Sequence, residues 1–255
     1  EVPIMESFDE MLDSFIRLGL AEDVGEGDHT SMACIRSTRV SKAKLLIKDD
    51  GIISGVDVAK KIFKEVAAAA DFEKLISDGS VVKPGDVAFY VTCPTRALLM
   101  AERLVLNTMQ RMSGIATIAS LYLQEIEGLP VKILDTRKTT PGMRFLEKQA
   151  VVHGGCHNYR AGLYDWIMIK DNHVEACGDI ALAIDRVHEY LQKTQKDLSI
   201  TIEVRNLVEL QKVLDHGGVT RIMMDNFEIP ILKEAVAMVG KRFETEASGG
   251  IDLHN

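Results

Sequence analysis

Hydrophobic positions recur along this chain in two rhythms, and the change between them falls near residue 130. Phe8, Met11, Leu12, Phe15 and Ile16 share one face at helical spacing and predict a helix over Phe8–Leu18. Alternation around Ala43–Ile47 predicts a strand, and Val81–Val91 reads as two short strands joined by a turn at Lys83-Pro84-Gly85-Asp86. Leu98, Leu99, Ala101, Leu104, Val105 and Thr108 then mark a long helix from Thr95 to Met112. This part is expected to be an N-terminal α+β domain, residues 1–112.

The remainder, residues 113–255, is expected to be an α/β domain. Apolar runs at Val131–Asp135, Trp166–Ile169, Ile200–Val204, Arg221–Met224 and Phe243–Ala247 read as strands. Helical spacing separates them over Asp179–Gln195, Leu207–Leu214 and Ile229–Val239. Such alternation predicts parallel strands covered by helices, and five strands make an open or incomplete α/β barrel. Neither G-x-G-x-x-G nor G-x-x-x-x-G-K-[ST] occurs in this stretch, so the Rossmann and P-loop readings lack their phosphate turns.

The residues with chemical potential stand at the ends of the predicted strands. The five runs lead to Thr136-Arg137-Lys138, Lys170-Asp171-Asn172-His173, Glu203, Asp225-Asn226 and Ser248-Gly249-Gly250. In a barrel these strand ends share one rim, where active sites sit. Lys and Arg suit phosphate oxygens, paired carboxylates suit Mg²⁺ or ribose hydroxyls, and a glycine turn exposes backbone N–H groups to an anion. Plainer uses compete at each position. Glu203 has Arg205 two residues away on the same strand face, Asp225-Asn226 suits a helix cap, and Met223 and Met224 suit a core. His153, His157 and His173 lack metal-site spacing and read as hydrogen-bonded loop residues.

Composition sharpens this picture. The chain has 255 residues, 46% hydrophobic and 27% charged, with 30 Lys+Arg against 38 Asp+Glu for a net charge of −8. An acidic balance argues against a nucleic-acid or anionic-membrane surface, and no apolar run approaches the roughly 18 residues of a membrane span. Residues 135–172 nevertheless carry six cations against four carboxylates, a net +2 that leaves −10 for the rest. Cys34, Cys93, Cys156 and Cys177 lie 59, 63 and 21 residues apart with no CxxC pair, as expected for reduced thiols in a cytoplasmic protein. The acidic start, Glu1–Glu10, shows no signal or transit peptide, although a chain without an initiator Met can begin inside a longer one.

Several stretches together resemble quinolinate phosphoribosyltransferases. They are Glu22-Asp23 with Gly27-Asp28-His29-Thr30, Ala101-Glu102-Arg103-Leu104-Val105-Leu106-Asn107, and Ser113-Gly114-Ile115-Ala116-Thr117. Leu134-Asp135-Thr136-Arg137-Lys138-Thr139-Thr140-Pro141-Gly142, Ile169-Lys170-Asp171-Asn172-His173, Met224-Asp225-Asn226 and Ala247-Ser248-Gly249-Gly250 complete the set. The resemblance implies transfer of a phosphoribosyl group from phosphoribosyl pyrophosphate to quinolinate. Pyrophosphate and CO₂ leave, the product is nicotinate mononucleotide, and Mg²⁺ is the cofactor. It also implies a homodimer, or a higher assembly of dimers, in which Arg103 reaches the neighbouring subunit's site.

On the same basis Arg137 and Arg160 resemble the other dicarboxylate clamps, and Lys138 and Lys170 resemble ligands of phosphoribosyl pyrophosphate. Glu203 and Asp225 resemble the acidic pair for ribose hydroxyls and metal, and Ser248, Gly249 and Gly250 resemble part of the 5′-phosphate cradle. Lys138, Glu203 and Asp225 are thereby the expected catalytic set. Two departures stand out. Tyr159 occupies the position of an expected His and can donate a hydrogen bond without carrying charge near neutrality. The family also continues through a further helix and strand beyond the point where this chain ends, so the barrel is expected to lack its final strand. Two rival readings remain: a Schiff-base barrel lyase acting through Lys170, and a paralogue, of the kind associated with molybdenum transport, that binds a phosphorylated or pyridine ligand without this activity.

Overall fold

In a computed structural model that describes residues 7–255, the chain divides into two compact units, one running to Tyr159 and the other from Arg160 to Asn255. Most of the acidic opening segment, residues 1–6, lies outside the described residues.

The first unit begins with α1 (Phe8–Val24), opened by a reciprocal cap in which Ser7 and Glu10 each accept the other's backbone N–H. Then come α2 (His29–Cys34), β1 (Val40–Leu46), β2 (Gly51–Ile52), α3 (Val56–Val66), β3 (Asp71–Lys74), β4 (Val81–Val82) and β5 (Val87–Pro94). Strand β5 lies between β1 and β3, antiparallel to both, and β2 pairs separately with β4. Helix α4 (Thr95–Glu125) packs against α3, and α5 (Arg144–His153) packs against α4. The core joins Leu12 and Ile16 of α1 to Val56, Ala59 and Ile62 of α3, Phe89 and Val91 of β5, and Val105, Met109 and Met112 of α4. The long helix expected to end near Met112 therefore runs thirteen residues further and passes through residue 113 without a break.

The second unit is a repeat of strand and helix: β6 (Ile167–Ile169), α6 (Asp171–Cys177), α7 (Ile180–Thr194), β7 (Ile200–Val204), α8 (Leu207–His216), β8 (Arg221–Asp225), α9 (Ile229–Val239) and β9 (Glu244–Ser248). Its four strands are all parallel and lie in sequential order, the arrangement of a barrel arc. Ile169, Ile200, Ile202, Val204, Ile222 and Met224 form one face and pack on Ile184 of α7, Leu210 and Val213 of α8 and Ala235 of α9. Every second residue points the other way. No helix among the described residues is long and apolar enough to cross a membrane.

One expected strand is corrected. Val131–Asp135 forms only an isolated parallel bridge, Leu134 with His157, closed by His157 N–H donating to Ile133 O and Asp135 N–H to His157 O. Exposed Val131 and Lys132 leave the segment no second buried face, and pairing stops after one rung.

Candidate active site

The strand register of the second unit decides which side chains meet. Ile169 pairs with Ile202, Glu203 with Met223, Met223 with Glu246 and Asp225 with Ser248. Opposite the helix-covered core, the sheet therefore carries Lys170 just past β6, with Thr201 and Glu203, Arg221, Met223 and Asp225, and Glu246 and Ser248 on its strands. Lys170, Glu203, Asp225 and Ser248 are thus brought to one face at the carboxyl ends of four adjacent strands. Lys170 Nζ lies 3.4 Å from Glu203 Oε2, the lysine side chain 42% exposed and the glutamate 9%. Its backbone N–H donates to His173 Nδ1 at 2.8 Å, fixing the turn into α6. Glu203 does not pair with Arg205, which binds Glu209 at 2.8 Å and Glu175 at 3.5 Å.

Arg221 and Glu246 add a charged pair to this face that sequence reading missed. The Arg221 guanidinium bridges Glu244 at 2.8 Å and Glu246 at 3.2 Å, and lies over the Trp166 ring. Trp166 Nε1 in turn donates to Thr201 Oγ1 at 2.9 Å. Burial pushes the Glu246 carboxyl above its ordinary value, and the charges of Arg221 and Arg160 pull it only part of the way back. Arg160, the expected clamp, is therefore close enough for its charge to act on this face. A charge pair between neighbouring strands is signalled only by register, which a single sequence does not display.

The turns after β8 and β9 lock together. Asn226 adopts a left-handed backbone conformation (φ 55°), donates its N–H to Ser248 O at 2.8 Å and its side-chain amide to Asp225 Oδ2 at 2.8 Å. Gly249 (φ +81°) approaches so closely that a Cβ there would lie 2.3 Å from Asn226 Oδ1. Only glycine fits that contact and that φ together. Gly250 also has positive φ and faces open space. Neither Asp225 nor Asn226 caps α9, whose first turn is preceded by Glu228.

In the first unit, the segment between the Leu134 bridge and α5 presents Arg137 and Lys138. Lys138 is exposed, and its ammonium has no partner among the described residues. Arg137 Nε is buried without a hydrogen-bond partner among the described residues, an orphaned donor that suits an anionic ligand. Asp135 and Lys148, both nearly fully buried, form an ion pair, and Asp135 Oδ1 accepts the N–H of Tyr159 at 2.8 Å. The backbone of the His-replacing tyrosine is thus tied to the base of the basic loop. Arg103 sits on α4, exposed and without a partner among the described residues.

The remaining chemistry-bearing residues take structural places. His153 Nδ1 lies 2.7 Å from Ser54 Oγ, and Met223 and Met224 are buried. All four cysteines are free, and burial pushes the thiols of Cys93 and Cys156 up. No group of three or more His, Cys, Asp and Glu among the described residues is arranged to hold a metal alone. A Mg²⁺ ion needs no such cage, since one or two carboxylates and substrate phosphates suffice, and Glu203 with Asp225 on adjacent strands fits that donor set.

Comparison with known proteins agrees with this geometry. The chain matches the family models for the quinolinate phosphoribosyl transferase N-terminal domain over residues 28–113 and C-terminal domain over residues 115–255. It is 41% identical to quinolinate phosphoribosyltransferase [decarboxylating] 1 of Nicotiana glauca, covering 95% of this chain and 73% of that protein. It is 42% identical to the chloroplastic nicotinate-nucleotide pyrophosphorylase [carboxylating] of Arabidopsis thaliana, with the same coverage. Among solved structures, NadC from Streptococcus pyogenes superposes with a TM-score of 0.90 at 31% identity, over 98% of this chain and 87% of that one. On this sequence, fold and arrangement of side chains, the chain belongs to the quinolinate phosphoribosyltransferase family.

Proposed function

We propose that the protein transfers the phosphoribosyl group of phosphoribosyl pyrophosphate to quinolinate with decarboxylation, giving nicotinate mononucleotide, pyrophosphate and CO₂ for NAD biosynthesis. The observation that carries this reading is the register that sets Lys170, Glu203, Asp225 and Ser248 on one face of the parallel sheet. Support also comes from the buried, unpartnered Nε of Arg137.

In this mechanism Arg137 and Arg160 hold the two carboxylates of quinolinate through planar, bidentate contacts, and the Tyr159 hydroxyl donates one hydrogen bond to them. Lys138 and Lys170 bind the pyrophosphate and ribose-phosphate oxygens, and Ser248, Gly249 and Gly250 cradle the 5′-phosphate with backbone N–H groups. The pyridine nitrogen attacks C1 of the ribose as the bond to pyrophosphate breaks. Positive charge then develops on the sugar, where Glu203 and Asp225 stabilise it and accept its hydroxyls. Glu203 and Asp225 would hold Mg²⁺ together with substrate oxygens, and its charge would offset that of the departing pyrophosphate. Decarboxylation needs no general base: the C2–carboxylate bond breaks with its electron pair left on C2, the adjacent positive ring nitrogen stabilises that carbanion, and a solvent proton then bonds to C2. The Schiff-base alternative is not favoured. Lys170 is 42% exposed and faces Glu203 rather than the apolar box that activates a nucleophilic amine.

We further infer a homodimer, or a higher assembly of dimers, with Arg103 completing the partner's site. Its guanidinium, exposed and without a partner among the described residues, supports this reading. The free thiols fit a reducing compartment such as the cytoplasm, whereas the Arabidopsis relative is named chloroplastic. The test is release of labelled CO₂ from the quinolinate 2-carboxylate, with equimolar pyrophosphate, in the presence of Mg²⁺. Glu203→Ala is expected to lower kcat by about 10²-fold or more. Turnover of nicotinate but not quinolinate would overturn the assignment.

A further inference from the structure

Two consecutive charged residues of α5, Glu147 and Lys148, are among the few buried polar side chains of the protein. They hold opposite ends of one loop. Lys148 pairs with Asp135 where the loop leaves the Leu134 bridge. Glu147 holds the other end: its Oε2 accepts the backbone N–H of Thr140 at 3.1 Å and its Oε1 accepts Arg111 Nε at 2.9 Å. Arg111, on α4, also donates from Nη2 to Thr140 Oγ1 at 2.9 Å, while the Thr140 hydroxyl bonds to Glu147. Carboxylate, guanidinium and hydroxyl thus form a closed ring that ties the loop to both helices. Between the two ties lie Arg137 and Lys138, which themselves have few fixed contacts. The main chain turns at Thr139, whose N–H donates to Arg137 O at 2.9 Å, and Arg144 braces the turn through Thr139 Oγ1 at 3.0 Å.

A salt bridge kept only for stability needs no such placement, and an unpaired buried glutamate would cost more than it returned. The ring instead sets the height at which the loop enters α5, and with it where the Arg137 and Lys138 side chains stand. We propose that Arg111 and Glu147 are positioning residues for substrate binding, acting through Thr140 to hold Arg137 and Lys138 in register with the anionic groups they bind. The inference rests on the proposed function, in that it takes Lys138 as a ligand of phosphoribosyl pyrophosphate. Neither residue touches substrate in this scheme.

The experiment is steady-state kinetics of the Mg²⁺-supplied enzyme with quinolinate and phosphoribosyl pyrophosphate, alongside thermal unfolding. Arg111 is half exposed, so Arg111→Gln leaves the core intact while removing the charged arm of the ring. It is expected to raise KM for phosphoribosyl pyrophosphate about tenfold or more, the worth of one charged hydrogen bond, with kcat changed much less. Arg111→Lys, which keeps the charge opposite Glu147, should recover part of the loss. Thr140→Val removes the third member and supplies the test should Arg111→Gln fold poorly. The double variant should be no worse than the poorer single one, because the three groups act as a unit. Lys138→Ala separates the two ideas. If it raises KM or abolishes turnover while Arg111→Gln and Thr140→Val leave both KM values within about twofold of the parent, the positioning role is wrong and the function stands. A fall in melting temperature with unchanged KM also overturns it. If Lys138→Ala has no effect, the reading of the loop itself fails and the inference with it.

Discussion

Burial alone pushes the Glu147 carboxyl up, but hydrogen bonds from Thr140 and the Arg111 guanidinium overcome it and leave the group below its ordinary value. The unfolded chain therefore holds a proton that the folded chain does not, in the range just below about pH 4.3. The stability contributed by Glu147 is present above that range and is lost as the pH falls through the depressed value. Glu246 has the opposite sign. Burial outweighs Arg221 and Arg160, so folding favours its neutral form, and stability falls as the pH rises through its raised value. Glu246→Gln should therefore gain on the parent as the pH rises above about 4.3, while Glu147→Gln should lose ground as the pH rises toward about 4.3 and hold level with the parent's trend beyond it. Urea unfolding from about pH 3 to 7 reads both. Parallel stability profiles for the parent and either variant would contradict the assignment of that group. At this scale much of the site was legible: Lys170, Glu203 and Asp225 stand at strand ends as their motifs suggested. Arg221, Glu246 and Glu147 were not legible, because their meaning comes from neighbours 25 and 36 positions away in sequence.

Among the elements, patterning succeeded where one face is buried and failed where contact was needed to decide. Strands β7 and β8 alternate so cleanly between core and site that their spans matched the expected runs within a residue. Val131–Asp135 has similar hydrophobicity but no ladder partner beyond His157 among the described residues, so it remains a single bridge. Helix α4 outran its expected end because Ala116 and Ala119 continue its buried face past Met112. Those small residues also explain how α5 closes on it. Gly154, at the end of α5, has an ordinary helical φ, so its requirement is steric alone. A Cβ there would stand 2.4 Å from Ala116 O and 2.6 Å from Ala119 Cβ. The first is backbone within a 31-residue helix and has little room to give. Gly154→Ala should cost about 1–3 kcal/mol through overpacking. That corresponds to a fall of roughly 2–4 °C in melting temperature per kcal/mol for a chain of this size. Because α5 carries Glu147 and Lys148, a rise in KM for phosphoribosyl pyrophosphate should accompany the loss of stability. An unchanged melting temperature would show that the two helices do not meet at Gly154 in solution.

For the whole molecule, an acidic total of −8 conceals an uneven spread of charge. One unit carries the basic loop and the Arg103 helix face, and the other carries a sheet face where cations and carboxylates alternate. Arg103 is the residue whose placement the single chain explains least: it is exposed on α4, far in sequence from either cluster and without a partner among the described residues. The proposed symmetric dimer would resolve this, because an isologous pairing would return each chain's Arg103 to the other chain's site. Each site would then take Arg103 from one subunit and Lys138 from the other. Arg103→Ala and Lys138→Ala should each be nearly inactive alone. Mixed under conditions that exchange subunits, they form heterodimers with one site carrying both defects and one carrying neither. With random exchange about half the dimers are mixed, so recovery should approach about a quarter of the parent activity. Native mass spectrometry on the two variants, one of them isotope-labelled, reports the exchange directly. Mixed dimers without recovered CO₂ release would place Arg103 in its own subunit's site or outside any site. Recovery without mixed dimers would contradict both variants' single-site defects.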